Sequence, residues 1–357
     1  MTKIRRMFPG GNTSRGFFPL QENIIGEDKN FLYILKGMPG GGKSSLMKEI
    51  ARRSLEEGYT VEYHHCPSDP TSVDAVVIVE LKIVILDGTP PHSMDPLYPG
   101  VNERIVDLSI FIDEEKIRIH KEKIIKAKKN NKKSYRRAFN YFKAARSVYE
   151  EIEMTNREFV DFKGLKDYED KFIEEIFKKE EVEVSNSLFK IRHLFSTAYT
   201  PEGYFDYTDS LLKNIGKRYF IKGEIGTGTS EFLQRIVDIC KWKDYDIEIY
   251  YNSFIPEKIE SVFIWDLDTI ISSNPKSKEF QCELINFDKF FNPSNQNKDD
   301  YKILEELKEK GIEGLKGAKK NHFILEETYR PTVDFNGIDN EREKIWNEIL
   351  DFASKKD

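Results

Sequence analysis

The sequence predicts an α/β chain in which one three-layer domain with helical additions occurs twice, the second copy degenerate. Three observations predict it. A glycine-rich phrase, Gly37-Met38-Pro39-Gly40-Gly41-Gly42-Lys43-Ser44, follows an apolar run and opens a helical pattern. The phrase returns 186 positions later as Gly223-Glu224-Ile225-Gly226-Thr227-Gly228-Thr229-Ser230. Its flanks return with it: Tyr59-Thr60-Val61-Glu62 falls on Tyr245-Asp246-Ile247-Glu248, and residues 76–81 fall on residues 262–267. Repeats of this length mean tandem domains and not a solenoid. A later match at a shift of 173 pairs Val160-Asp161-Phe162 with Val333-Asp334-Phe335. The expected domains are 1–190, with a helical extension from about 113, and 191–357 with its own extension.

Residues 31–36, Phe-Leu-Tyr-Ile-Leu-Lys, read as a buried strand. Leu46, Met47, Ile50 and Ala51 have helical spacing over 44–54. Between them, Gly37, Gly42, Lys43 and Ser44 satisfy the P-loop pattern G-x-x-x-x-G-K-[ST] in the strand–loop–helix context it needs. Such glycines let backbone N–H groups turn inward around phosphates, and the helix N-terminus adds its positive end. Gly37, Met38, Pro39, Gly40, Gly41, Gly42, Lys43, Ser44 and Ser45 are therefore expected to bind ATP. Lys43 should reach the β- and γ-phosphates and Ser44 should ligate Mg²⁺. Residues 82–87, Lys-Ile-Val-Ile-Leu-Asp, read as a strand whose Asp87 would hold the same Mg²⁺.

The two copies annotate each other. Positions kept in both are mostly apolar, as Leu35 with Ile221 and Ile50 with Ile236. The changed polar pairs point to chemistry: Lys43 with Thr229, Asp87 with Ser273, His64 with Tyr250, His65 with Tyr251, Asp69 with Ile255 and, across a small gap, Arg15 with Glu202. One triphosphate site and one pseudo-site follow. Arg15 is expected as an extra cation near the γ-phosphate, with Asp69 and His92 to orient water or an acceptor.

Gly10-Gly11-Asn12-Thr13-Ser14-Arg15-Gly16, Glu62-Tyr63-His64-His65-Cys66, residues 86–92 and Tyr98-Pro99-Gly100 carry a resemblance. With the loops, they make the chain resemble an uncharacterised bacterial family of ATP-binding proteins built from two P-loop domains, over essentially its whole length. The resemblance implies the fold and ATP binding but no particular reaction. It also implies lysine in the second loop, from which Thr229 departs.

Composition narrows the class. A third of residues are charged and the net charge is −6, so nothing pulls the whole chain toward nucleic acid. Cys66, Cys240 and Cys282 make no CxxC pair, so neither disulfides nor a zinc ribbon is implied. No signal peptide or 18-residue apolar run is present, so a cytoplasmic protein without a membrane partner is expected. His64, His65 and Cys66 invite zinc, but adjacent strand residues point to opposite faces.

Ala138, Phe142, Ala145, Tyr149 and Ile152 mark one face of a helix, read as part of a hairpin or short coiled coil. The basic run 121–146 precedes an acidic one, 150–183. A solvated pair with basic arm against acidic arm is favoured over a nucleic-acid surface. Asp87 is followed by glycine and not by an acid, no D-x-x-G follows the strand, and Asn297-Lys298-Asp299-Asp300 is a chance N-K-x-D in a polar loop. The expected function is a Mg²⁺-dependent ATPase. The alternatives are a kinase acting on a small-molecule or nucleotide acceptor, and an ATP-gated switch that docks an unknown protein. The two halves are expected to pack as an intramolecular pseudo-dimer.

Overall fold

A computed structural model of the chain describes residues 3–24, 26, 28–90, 93–178 and 189–355. In the first half, β1 (Ile4–Met7) leads into a hairpin of β2 (Gly10–Thr13) and β3 (Gly16–Pro19). Then come β4 (Phe31–Lys36), α1 (Lys43–Glu56), β5 (Val61–Cys66), β6 (Asp69–Ile78), β7 (Ile83–Asp87) and β8 (Glu103–Asp107). The helices α2 (Glu114–Arg118), α3 (Lys121–Arg157) and α4 (Phe162–Phe177) follow. The second half repeats this with β9 (Ile191–Leu194), β10 (Thr197–Thr200), β11 (Gly203–Asp206), α5 (Thr208–Leu212), β12 (Lys217–Lys222) and α6 (Thr229–Trp242). It continues with β13 (Ile247–Tyr251), β14 (Ile259–Ile264), β15 (Thr269–Ser272), β16 (Glu283–Asn286), α7 (Lys298–Tyr329) and α8 (Phe335–Ser354).

Each half is a six-stranded mixed sheet followed by helices. The first runs β1-β5-β6-β7-β4-β8, and the second runs β9-β13-β14-β15-β12-β16, the same order. The first sheet is mixed because Pro67 and Ser68 turn the chain straight back after β5, so β6 is antiparallel to both β5 and β7; in the second, residues 252–258 turn β14 antiparallel to β13 and β15 in the same way. A turn of that length cannot hold the crossover a parallel pair needs. The other strands run parallel, and β4 lies directly beside β7. Successive residues such as Val76 and Val77 are both fully buried, one on each face of the sheet.

The helical additions are exchanged between the halves. The α1 face of the first sheet is completed by Ile338, Ile345, Trp346 and Ile349 of α8. The matching face of the second sheet is completed by Leu165 and Ile176 of α4. Burying each such side chain contributes about 1.5–3 kcal/mol. Polar clamps fix both: Glu343 pairs with Arg53 and Glu348 with Arg104, while Glu169 pairs with Arg235 and Glu175 with Lys217. The apolar face of Ile345, Trp346 and Ile349 thus serves the other half's sheet.

α3 is one continuous helix of 37 residues, not a hairpin, and it lies antiparallel to α7. Ala138, Phe142, Ala145 and Ile152 of the expected face are buried. The contact is close because Gly314 carries no side chain: a Cβ there would lie 2.8 Å from the Ala138 backbone. The basic run of α3 therefore packs against α7, while the following acidic helix α4 leaves to cover the second sheet; this replaces the expected pairing of basic and acidic arms. Residues 179–183 of that acidic run lie outside the described residues. Among the described residues no helix is long and apolar enough to cross a membrane.

Candidate functional site

β4 delivers the chain to the glycine loop, and α1 begins at Lys43. Gly40 and Gly42 have φ of +70° and +80°, a backbone region that side chains rarely tolerate. Gly42 caps α1 without a side chain, which leaves the helix N-terminus facing the loop. Lys43 Nζ donates to the Met38 carbonyl at 3.0 Å and lies 3.6 Å from Asp87 Oδ2. The contact follows from topology: β4 and β7 are adjacent and parallel, with Leu35 opposite Asp87, so both ends open on one edge. The N–H and hydroxyl of Thr89 donate to Asp87 Oδ1 and fix the carboxylate. Ser45 is exposed on the first turn of α1.

Ser44 has a second task. Its hydroxyl accepts the Val73 N–H at 3.1 Å, tying α1 to β6. Ser230 accepts the Ile259 N–H at 2.9 Å in the second half. The serine survives in both copies with the same structural hydrogen bond, so its retention is not by itself a sign of metal binding. Among the described residues no three His, Cys, Asp or Glu side chains form a metal-holding group. A magnesium ion at this edge would have Asp87 and Ser44 as protein donors and take its remaining ligands from phosphates and water, the usual pattern for this ion.

The second loop keeps the backbone shape but not the charges. Gly226 and Gly228 have φ of +90° and +93°. Thr229 opens α6 where Lys43 opens α1, and Ser273, in the place of Asp87, binds the Glu260 backbone through its N–H and hydroxyl. A 350 Å³ cavity beside Ser230 is lined by Arg146, Lys258 and four glutamates including Glu153 and Glu257. Its charge balance is wrong for a triphosphate.

The helix exchange puts foreign residues at each loop. A Cβ on Gly40 would meet the Glu326 backbone of α7, and one on Gly226 would meet the Glu153 backbone of α3. The hairpins cross as well. Arg15, expected at the γ-phosphate, pairs instead with Glu257 of the second half. Its counterpart Glu202 pairs with Lys319 of its own half, and Lys319 in turn pairs with Asp69 of the first half. Asp69 Oδ1 accepts from Lys319 Nζ at 2.8 Å and from Thr71, and Oδ2 accepts from Ser72. Burial raises the Asp69 pKa, but the hydrogen bonds from Lys319, Ser72 and Thr71 outweigh it and the net shift is downward. So held, it is an anchor for the turn and a poor proton acceptor. His92 lies outside the described residues.

His64 and His65 are packed. Burial above all pushes the His65 pKa down to about 3, and Arg6 adds to the effect. Its Nδ1 faces the Pro70 carbonyl and its Nε2 faces Arg6. His64 belongs to a buried ionic cluster between the halves. Glu62 and Glu248 are shared by Arg5 and Arg192 from equivalent positions; Glu62, Glu248 and Arg192 are nearly inaccessible and Arg5 is partly exposed. His64 sits beside Glu62 as Tyr250 sits beside Glu248. Burial pushes both carboxyls up, but the two guanidiniums override it and hold both pKa values below the usual carboxylate range.

Sequence reasoning missed this cluster, although its signal was available: Arg5 and Arg192 stand 187 positions apart, and Glu62 and Glu248 stand 186 apart. It also missed Lys319 at Asp69 and Glu326 at the first loop, for which no local signal exists, and named Glu202 only as the counterpart of Arg15. Compared with known proteins, the chain matches no family model, no curated protein and no solved structure.

Proposed function

We propose that the first half binds ATP with Mg²⁺ at Gly37–Ser45 and hydrolyses it, and that the second half carries a pseudo-site. The observation that carries this reading is the meeting of Lys43 and Asp87, 3.6 Å apart, at the end of two adjacent parallel strands beside a glycine loop. The loop N–H groups and the N-terminus of α1 receive the phosphates. Lys43 leaves its contacts with Met38 and Asp87 and stabilises charge on the γ-phosphoryl group. Asp87 and Ser44 would hold the metal, which would supply positive charge against the phosphate oxygens. Water attacks the γ-phosphorus and the bond to the ADP oxygen breaks. The P-loop pattern of Gly37, Gly42, Lys43 and Ser44 supports the same reading.

A second reading, an ATP-gated switch with slow turnover, gains from one observation. Asp69, the described candidate for orienting water, has both oxygens engaged. Phosphate release measured with and without small-molecule acceptors separates the readings. Release without an acceptor supports the ATPase. Tight binding with negligible release supports the switch, and absence of nucleotide binding overturns both.

A further inference from the structure

The basic run of α3 has a geometry its composition did not reveal. From residue 121 to 149 every charged side chain except Glu122 is a lysine or arginine, in a chain of net charge −6. Positions 126, 129, 133, 136, 140 and 143 recur at steps of three and four, which makes one stripe along the helix. Lys126, Lys129, Lys133, Arg136 and Lys143 on that stripe are exposed, and so is Arg137 beside it. The face turned to α7 is occupied by Ala127, Ala138, Phe142 and Ala145. The stripe spans roughly 26 Å at about 1.5 Å per residue.

No ion pair among the described residues neutralises it. The acidic helix α4 packs on the second sheet, and among the described residues no carboxylate forms an ion pair with these six cations, whereas Arg146 further along has Glu150 and Glu257. Where the stripe meets α7, a groove of about 600 Å³ is lined by Lys133, Arg136, Arg137, Asn140, Tyr141 and Leu307. The Arg137 guanidinium lies 5.8 Å from the Tyr141 ring centre.

We propose that this stripe and groove bind the phosphodiester backbone of nucleic acid. A straight line of unpaired cations on a rigid helix matches a linear polyanion. Asn140 adds a side-chain amide for phosphate or base. A lipid surface fits less well, because membrane-lying helices bury an apolar face in the bilayer and α3 has spent its apolar face on α7.

The test uses the full chain without nucleotide. Fluorescence anisotropy is followed with a labelled single strand of about 30 nucleotides, as DNA and as RNA, in parallel with vesicles of anionic phospholipid. Four phosphate contacts to a single strand weaken binding roughly 50-fold between about 50 and 200 mM salt. The variant carrying Lys129→Glu, Lys133→Glu, Arg136→Glu and Arg137→Glu changes only exposed positions, and circular dichroism checks its fold. It should bind at least ten times more weakly with a flatter salt dependence, while Lys241→Glu with Lys243→Glu at the C-terminal end of α6 should bind as the parent does. Binding of either strand that the α3 variant loses supports the proposal. Equal binding by the variant, capture by vesicles alone, or no binding of either strand at low salt overturns it.

Discussion

Phe8 and Phe195 exchange both backbone hydrogen bonds: the N–H of Phe8 donates to the Phe195 carbonyl at 2.8 Å, and the N–H of Phe195 donates to the Phe8 carbonyl at 3.1 Å. The two residues are equivalent in the repeat, so the halves meet through one position paired with itself. Around it lie the Arg5–Glu62–Arg192–Glu248 cluster and the crossed hairpins. The same reciprocity places α8 on the first sheet and α4 on the second, and an end of the long helix pair at each glycine loop.

Arg192→Met should destabilise the fold by about 3–5 kcal/mol, because Glu62 and Glu248 would be left to share Arg5 in a site closed to water. Urea denaturation at pH 7 measures this. A loss below about 1 kcal/mol would show that the cluster is better hydrated than its geometry indicates.

Residues 1–190 expressed alone should be poorly soluble. That fragment lacks α8 and would expose the apolar face that Ile338, Ile345 and Ile349 cover. Co-expression of residues 191–357 should restore solubility and near-ultraviolet circular dichroism. A well-folded, monomeric fragment would contradict the exchange of helices.

Lys43→Ala should lower ATP turnover by about 10²-fold or more, because the phosphoryl transition state loses a preorganised cation. Calorimetry with a non-hydrolysable ATP analogue should give one site per wild-type chain, since Thr229 and Ser273 supply neither cation nor carboxylate. Unchanged turnover, or two equivalent sites, would move the chemistry away from the first loop.

Two groups set opposite pH trends. Glu62 and Glu248 have folded pKa values below the unfolded value. Their contribution is complete above the ordinary carboxylate range and is lost as pH falls through the folded values. Glu260 is raised to about 7, first by burial and then by Asp206. Its folded form keeps a proton that the unfolded chain releases, so stability falls as pH rises from about 4.5 to 7. That loss is on the order of 3 kcal/mol. Glu260→Gln should flatten the slope between pH 5 and 7, as thermal unfolding across that range would reveal. An unchanged slope would mean that Glu260 titrates normally.

Gly314→Val should separate α3 from α7 and cost about 1–3 kcal/mol, because its side chain would meet the Ala138 backbone, which cannot rotate away. Gly317 faces only the Ser134 side chain, so Gly317→Ala should be tolerated better. Chemical denaturation of the two variants side by side decides it.

Much of this was local and therefore legible in the chain. The strand Phe31–Lys36, the helix burying Leu46, Met47 and Ile50, the strand ending in Asp87 and the duplication all rest on patterns within a few residues or on direct self-comparison. The loop, Lys43 and Asp87 were readable for the same reason, since a strand–loop–helix unit carries its own geometry. What the sequence could not supply is which half each helix serves. Ile345 and Trp346 show an apolar face, but apolar surface is non-directional and does not name its partner. Only the folded chain decided that α8 covers the first sheet, that Arg15 meets Glu257 while Lys319 joins Glu202 to Asp69, that His64 joins a buried ionic cluster, and that the cations of α3 face water. Each of those outcomes depends on contacts between residues far apart along the chain, where packing and charge compensation act on the whole molecule at once.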